Sequence, residues 1–213
     1  SLNIHDNYDT EGMDFSSLRT IGAAFSLNSN RDLSDLTLGA LESVDGQLSM
    51  SSNGSLSVFS VPSLTLVEGS IQMNSNEGLE EAYFDALETV EGQIRVEWHN
   101  NFQELYLPNL TELSGELYLY YNYALDTVDL SSLTEIESNL YVYNNFELET
   151  LNLPSLVKVN GSFTVYSANP LDELNLALLE EVNGNFSVSN NASVSRLYAP
   201  NFYDLSGSLT IRD

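Results

Sequence analysis

Residues 105–127 have the sequence LYLPNLTELSGELYLYYNYALDT, and this 23-residue pattern returns along the whole chain. Its apolar positions form pairs, Leu105 with Leu107 and Leu117 with Leu119, and each pair alternates with polar or tyrosine residues. Such alternation is typical of half-buried β-strands. Turn-forming residues fill segment 108–115 between the pairs. The repeat therefore predicts two short strands per turn and no helix.

The two apolar positions of the second strand recur in every repeat. The position of Leu117 is occupied by Leu2, Phe25, Leu48, Ile71, Ile94, Leu117, Leu140, Phe163, Phe186 and Leu209. The position of Leu119 is occupied by Ile4, Leu27, Met50, Met73, Val96, Leu119, Val142, Val165, Val188 and Ile211. A fixed period of this length is the signature of a solenoid. We predict an all-β fold, a parallel β-helix of about nine 23-residue turns that forms a single domain over residues 1–213.

Two other columns, meaning residues at one position in successive turns, have special chemistry. One inward column is polar and consists of Asn7, Asn30, Asn53, Asn76, His99, Asn122, Asn145, Ala168 and Asn191. We expect its amides to stack as a ladder that satisfies turn backbone, with a structural His99. A second column consists of glycines, namely Gly46, Gly69, Gly92, Gly115, Gly161, Gly184 and Gly207. We expect a tight corner there, with positive φ.

The charge balance restricts the partners. The net charge is −25, from 31 acidic and 6 basic residues, so nucleic acids and anionic membranes are disfavoured. No apolar run is long enough for a membrane helix, so direct membrane insertion is not expected. Cysteine is absent, which excludes disulfides and thiolate metal sites. Strong acidity favours a monomer, whereas uncovered sheet edges at the ends favour end-to-end association.

Acidic residues also form columns. Examples are Asp45, Glu68 and Glu91 in one, and Asp126, Glu149 and Asp172 in another. Carboxylates stacked about 4.8 Å apart repel each other, and a Ca²⁺ ion would relieve this repulsion. However, nothing matches the Asp-Gly loop of calcium-binding nonapeptide repeats. We therefore favour a solvated face with no metal site or cofactor, and Ca²⁺ at these columns remains the alternative.

The outward positions of the strand after the glycine are small and polar at both ends of the chain and aromatic in the middle. The candidate ligand-binding residues are Glu97, Trp98, Tyr118, Tyr120, Tyr121, Tyr141, Tyr143 and Tyr166, and Tyr123 lies close by. Tyrosine is a good strand former, so these residues could simply stabilise the sheet. Contiguous exposed aromatic residues are also typical of interaction sites. Both interpretations are open.

The consensus LxLPSLxxVxGxLxVxxNxxL resembles the receptor L domain family. Close matches are residues 151–161, LNLPSLVKVNG, and residues 59–64, FSVPSL. The resemblance implies a right-handed, leucine-rich-repeat-like β-helix that acts as an extracellular, non-catalytic binding module. Animal receptor members contain cysteines, so this chain looks more like the microbial surface-protein branch, as an excised part of a longer surface protein. The family has no shared catalytic residues.

Three functions follow from these observations. The first is an adhesion or binding module that recognises a protein or glycan on another cell or surface through the tyrosines and Trp98. The second is a structural component of a cell wall or surface layer. The third is a carbohydrate-active enzyme with Glu97 and Glu116 as a carboxylate pair. The third is disfavoured because so regular a repeat has no inserted loops to build a cleft that excludes water.

Overall fold

A computed structural model of the chain describes residues 1–213 and contains 28 β-strands and no helix. Every strand pairs in parallel with a strand 23 residues away. Leu48 lies opposite Ile71, and Leu117 lies opposite Leu140. This uniform register confirms the parallel β-solenoid that the repeat predicts.

Each turn contributes one strand to each of three sheets. Sheet 1 has ten strands, which are Leu2–His5, Phe25–Asn28, Leu48–Ser51, Ile71–Asn74, Ile94–His99, Leu117–Asn122, Leu140–Tyr143, Phe163–Tyr166, Phe186–Ser189 and Leu209–Arg212. Sheet 2 is divided into groups of two, five and two strands, which are Gly12–Asp14 and Asp35–Thr37; Val58–Ser60, Glu81–Tyr83, Glu104–Tyr106, Thr127–Asp129 and Thr150–Asn152; and Glu173–Asn175 and Arg196–Tyr198. Sheet 3 has nine strands, which are Thr20–Ile21, Ser43–Val44, Leu66–Val67, Thr89–Val90, Glu112–Leu113, Glu135–Ile136, Lys158–Val159, Glu181–Val182 and Asp204–Leu205.

The structure has three strands per turn, not the two that the sequence predicts, and the additional strands form sheet 3. Its strands, such as Glu112–Leu113, are two residues long and lie within the segment that the sequence predicts as a turn. Two residues cannot display an alternating pattern, so periodicity does not reveal them. They pair because the 23-residue register places copies of the same segment side by side in successive turns.

The core lies inside the ring formed by the three sheets. It consists of 53 buried hydrophobic residues in one continuous cluster. In sheet 1, Leu117 and Leu119 are buried, whereas Tyr118 and Tyr120 point outward and are half-buried. Because a one-residue slip would exchange these two sets, burial of the leucines specifies which residues form the outer face.

The predicted asparagine ladder is present. Asn30 is fully buried, and its Nδ2 donates to the Ile4 carbonyl at 3.0 Å and to Asn53 Oδ1 at 3.1 Å. The backbone N–H of Asn30 also donates to Asn53 Oδ1. Each amide thus bonds backbone groups that the sheets leave unpaired, which avoids the penalty for buried unsatisfied polar groups.

His99 occupies one position of the ladder without interrupting it. Asn76 Nδ2 lies 3.2 Å from Nε2 of His99, and Nδ1 of His99 lies 2.9 Å from Asn122 Oδ1. An amide NH₂ donates and an amide oxygen accepts, so the ring is neutral with its proton on Nδ1. Burial lowers the pKa of His99 to about 4. The structural role predicted for His99 is confirmed.

The glycine corner is tight, as predicted, but the expected positive φ is wrong. A Cβ on Gly115 would lie 2.5 Å from the backbone nitrogen of Gln93, and no glycine has positive φ. The need for glycine is close approach between successive turns. Positive φ values occur instead in the column before the ladder, at Asp6, Ser29, Ser52, Ser75, Trp98, Tyr121, Asn144, Ser167 and Asn190.

Ala168 leaves one gap in the ladder. Ala168 is fully buried and has no side-chain amide. As a result, Asn145 Nδ2 donates one hydrogen bond, to the Leu119 carbonyl, whereas Asn122 Nδ2 donates two, to the Val96 carbonyl and to Asn145 Oδ1. We predict that Ala168→Asn restores an acceptor for Asn145 and stabilises the fold by about 1 kcal/mol. The test compares the thermal unfolding of Ala168→Asn with that of the wild type and of Ala168→Val, a control that adds volume without an amide. Equal destabilisation by both substitutions would show that the gap has no room for a side chain.

His99 predicts a specific acid sensitivity. Its pKa is about 4 in the folded state and near 6.5 in the unfolded chain, so the unfolded state binds the proton more tightly. Stability contributed by neutral His99 is present above pH 6.5 and falls as pH decreases towards 4, by up to about 3 kcal/mol. Between pH 7 and pH 4.5 the free energy of unfolding of the wild type should therefore fall by about 2 kcal/mol more than that of His99→Asn, as measured by urea unfolding. Parallel pH profiles of the two proteins would contradict this account.

Candidate functional site

The candidate aromatic residues lie together on the outer face of sheet 1, in the four turns whose sheet 1 strands begin at Ile94, Leu117, Leu140 and Phe163. All seven that the sequence predicts belong to one connected set of ring contacts, which two further residues join. We call the set the aromatic patch, and it consists of Trp98, Tyr118, Tyr120, Tyr121, Tyr123, Tyr141, Tyr143, Phe146 and Tyr166.

Tyr120 is the centre of the patch. Its ring centroid lies 5.3 Å from that of Trp98 and 4.5 Å from that of Tyr121, both edge to face. Tyr143 follows one turn later at 6.5 Å, and Tyr166 lies a further 5.8 Å away. Aromatic pairs at these separations contribute beyond their buried area. The column therefore forms a continuous aromatic surface along the solenoid axis.

Trp98 and Tyr121 form a second row beside this column. Their rings are parallel, with centroids 4.7 Å apart and an interplanar angle of 7°. Both residues have positive φ, 61° and 52°, which is an outlier for large side chains. Trp98 remains 46% exposed, so the stacked pair is available at the surface.

The sequence does not predict Phe146 as a patch residue, and it places Tyr123 only beside the candidates. Their centroids are 6.1 Å apart, and Phe146 also contacts Tyr121 at 6.3 Å. The two residues are 23 positions apart, so they share a column one turn from each other. That spacing was the available signal, but the column lies outside the strand whose outward positions defined the candidates.

Glu97 differs from the other candidate residues because its charge is already compensated. Its two carboxylate oxygens accept hydrogen bonds from Arg95 Nε at 3.0 Å and Nη2 at 2.8 Å, and its side chain is 15% exposed. These bonds raise the pKa of Arg95. The Arg95 guanidinium in turn lies 4.2 Å from the ring centroid of Tyr118, a cation–π distance. Glu97 therefore fixes Arg95 against the patch.

The outer face of sheet 1 is almost free of charge. In its two outward columns only Arg95, Glu97 and Arg212 carry a formal charge at neutral pH, although the chain as a whole has a net charge of −25. Desolvation raises the pKa of Tyr118 and of Tyr141, so their hydroxyls stay neutral. The acidic residues are concentrated on the other two sheets and in the turns.

Two shallow polar depressions flank the aromatic patch along the axis. The first, of about 250 Å³, is lined by Gln72, Met73, Asn74, Gln93, Arg95 and Glu97. The second, of about 400 Å³, is lined by Tyr141, Tyr143, Ser162, Thr164, Asn185, Ser187, Ser208 and Thr210. Most of these side chains end in amides or hydroxyls, which both donate and accept hydrogen bonds.

No group of three or more His, Cys, Asp or Glu side chains is arranged to hold a metal ion. The chain has no helix of the length and apolarity needed to cross a membrane.

Comparison with known proteins supports the resemblance that the repeat suggests. The model of the receptor L domain matches residues 65–176, which is more than half of the chain and includes the whole aromatic patch. No curated protein and no solved structure matches the chain. The match over this length, together with the 23-residue solenoid, shows that the chain belongs to the receptor L domain family.

Proposed function

We propose that this chain is a non-catalytic binding or adhesion module of an extracellular surface, and that it recognises a protein or glycan through the aromatic patch. Receptor L domains are typically non-catalytic binding modules, which supports this assignment. The patch offers what such a site needs, namely large rings with polar hydroxyls on an exposed face.

The observation that best supports binding is the backbone conformation of Trp98 and Tyr121. In seven other turns the same position has Asp, Ser or Asn, which are small and polar. Positive φ is least favourable for bulky side chains, and a residue held in such a conformation costs about 1–3 kcal/mol. The stacked pair contributes about 0.5–1.5 kcal/mol beyond the area that it buries. Two large aromatic side chains, at a position where seven other turns have small polar residues, therefore indicate a role outside folding.

The state of Glu97 argues against the enzymatic alternative. Hydrolysis of a glycosidic bond requires two carboxyl groups, one of which donates or accepts a proton. Both oxygens of Glu97 accept hydrogen bonds from Arg95, and the Glu97 side chain is only 15% exposed. Neither oxygen is therefore free to contact a sugar or an attacking water, which counts against a catalytic pair of Glu97 and Glu116.

Replacing the strained pair should separate stability from binding. We predict that Trp98→Ser/Tyr121→Asn, which introduces the residue types of the other turns, leaves the free energy of unfolding unchanged or raises it by about 1 kcal/mol. The same variant should lose at least about tenfold in affinity for any ligand of the patch. Urea unfolding and titration of a bound ligand measure the two effects. A loss of several kcal/mol in stability would instead assign these rings to the fold.

The second test replaces the axial column. Wild type and Tyr120→Ala/Tyr143→Ala/Tyr166→Ala are applied to arrays of immobilised glycans and of purified extracellular protein domains. We expect at least one wild-type signal to fall at least about tenfold in the triple variant. Tyr83→Ala/Tyr106→Ala is the matched control, because these tyrosines form an edge-to-face pair at 5.8 Å on sheet 2.

The control variant should keep the wild-type signal. A signal that the triple variant retains in full would place the binding site elsewhere on the molecule. Loss of signal in both variants, together with a lowered melting temperature, would indicate damage to the fold.

A further inference from the structure

We infer that the ligand of the aromatic patch is a neutral polysaccharide that lies along the solenoid axis. This inference rests on the proposed function and specifies the chemistry of the ligand. It depends on three features of sheet 1, namely its lack of net acidity, the axial order of its rings and the polar depressions at both ends of the patch.

Charge distribution disfavours both anionic and cationic ligands. The chain has 31 acidic residues, yet Glu97 is the single acid in the two outward columns of sheet 1, and Arg95 neutralises it. An anionic polymer that extends beyond the face would meet the negative field of the other sheets. A basic protein or cationic polymer would be attracted to those sheets rather than to this face. A neutral ligand best suits a face on which the few charges are largely compensated.

The order of the rings favours a chain over a compact ligand. Tyr120, Tyr143 and Tyr166 follow one another in successive turns, with centroid separations of 6.5 and 5.8 Å. Tyr118 and Tyr141 form a parallel column at 6.2 Å. Successive sugar units of an extended polysaccharide can therefore each meet an aromatic side chain. Because neighbouring rings in the column are tilted by 67° and 37°, the contact is with a ring face at some units and a ring edge at others, and neither requires charge.

The depressions extend this surface in both axial directions. Towards the N-terminus the outward columns continue with Gln72 and Asn74, and towards the C-terminus with the partly exposed Ser187 and Thr210. Amides and hydroxyls match sugar hydroxyls because both partners donate and accept. The middle of a bound chain would then stack on rings while its flanking units form hydrogen bonds. Affinity should rise with oligosaccharide length until the chain spans the patch.

Affinity electrophoresis tests this inference directly. Native gels contain one soluble polysaccharide each: the neutral polymers mixed-linkage β-glucan, xyloglucan, galactomannan and dextran, the anionic polymers alginate and pectate, or the cationic polymer chitosan. We expect at least one neutral polymer to retard wild type. The Tyr120→Ala/Tyr143→Ala/Tyr166→Ala variant should bind it at least about 100-fold more weakly, whereas Tyr83→Ala/Tyr106→Ala should bind as wild type does.

Salt dependence gives an independent readout. Calorimetric titration of the retarding neutral polymer at about 0.05 and 0.5 M NaCl should give dissociation constants within about twofold of each other, because no charge is compensated on binding. A charged ligand would lose affinity steeply over the same range. A graded series of oligosaccharides from the same polymer should bind more tightly with each added unit and then reach a plateau.

The outcomes separate this inference from the proposed function. Binding only to alginate, pectate or chitosan, or binding to none of the panel, overturns the neutral-polysaccharide inference. If an extracellular protein domain on the array then depends on the patch tyrosines, the proposed function stands with a protein ligand. If a neutral polymer retards wild type and the triple variant equally, both the inference and the assigned patch are wrong.

Discussion

The structure depends on one constraint, which is that each 23-residue turn must stack in register on the next. Parallel pairing between copies of the same segment produces all three sheets, and the glycine corner permits it because a Cβ at Gly115 would collide with the preceding turn. The asparagine ladder satisfies backbone groups inside each turn, so the core can be closed without unpaired polar atoms. His99 satisfies the same bonding pattern only as a neutral ring, which links the stability of the whole stack to its protonation.

Strict stacking leaves few positions free to vary, and the outward columns are among them. A side chain placed on the outer face of sheet 1 automatically lies beside its copies in the neighbouring turns. Four consecutive turns use this property to build the aromatic patch, while the turns on either side place amides and hydroxyls in the same columns. Ligand recognition and folding are thus separated by the pleat of a single sheet, since Leu117 and Leu119 face inward and Tyr118 and Tyr120 face outward.

Two departures from the regular pattern of sheet 1 lie in the aromatic patch or directly beside it. Trp98 and Tyr121 have a backbone conformation that suits small polar residues, and Arg95 and Glu97 introduce a charged pair into columns that are otherwise nearly neutral. The first departure places two stacked rings at the surface. The second holds a guanidinium over Tyr118 without adding net charge. Departures from a repeat that serve no evident purpose in folding are expected at functional sites.

The period, the register, the core columns, the asparagine ladder and the common face of the seven predicted aromatic residues can all be derived from the amino-acid sequence alone. This is possible because a solenoid converts a spacing of 23 residues into adjacency in space, so that Tyr120, Tyr143 and Tyr166 had to be neighbours. The third sheet is visible only in three dimensions, since strands such as Glu112–Leu113 are too short to have a period. The same holds for the positive φ of Trp98, the pairing of Arg95 with Glu97 and the contact of Phe146 with Tyr121, because these depend on how side chains pack between turns.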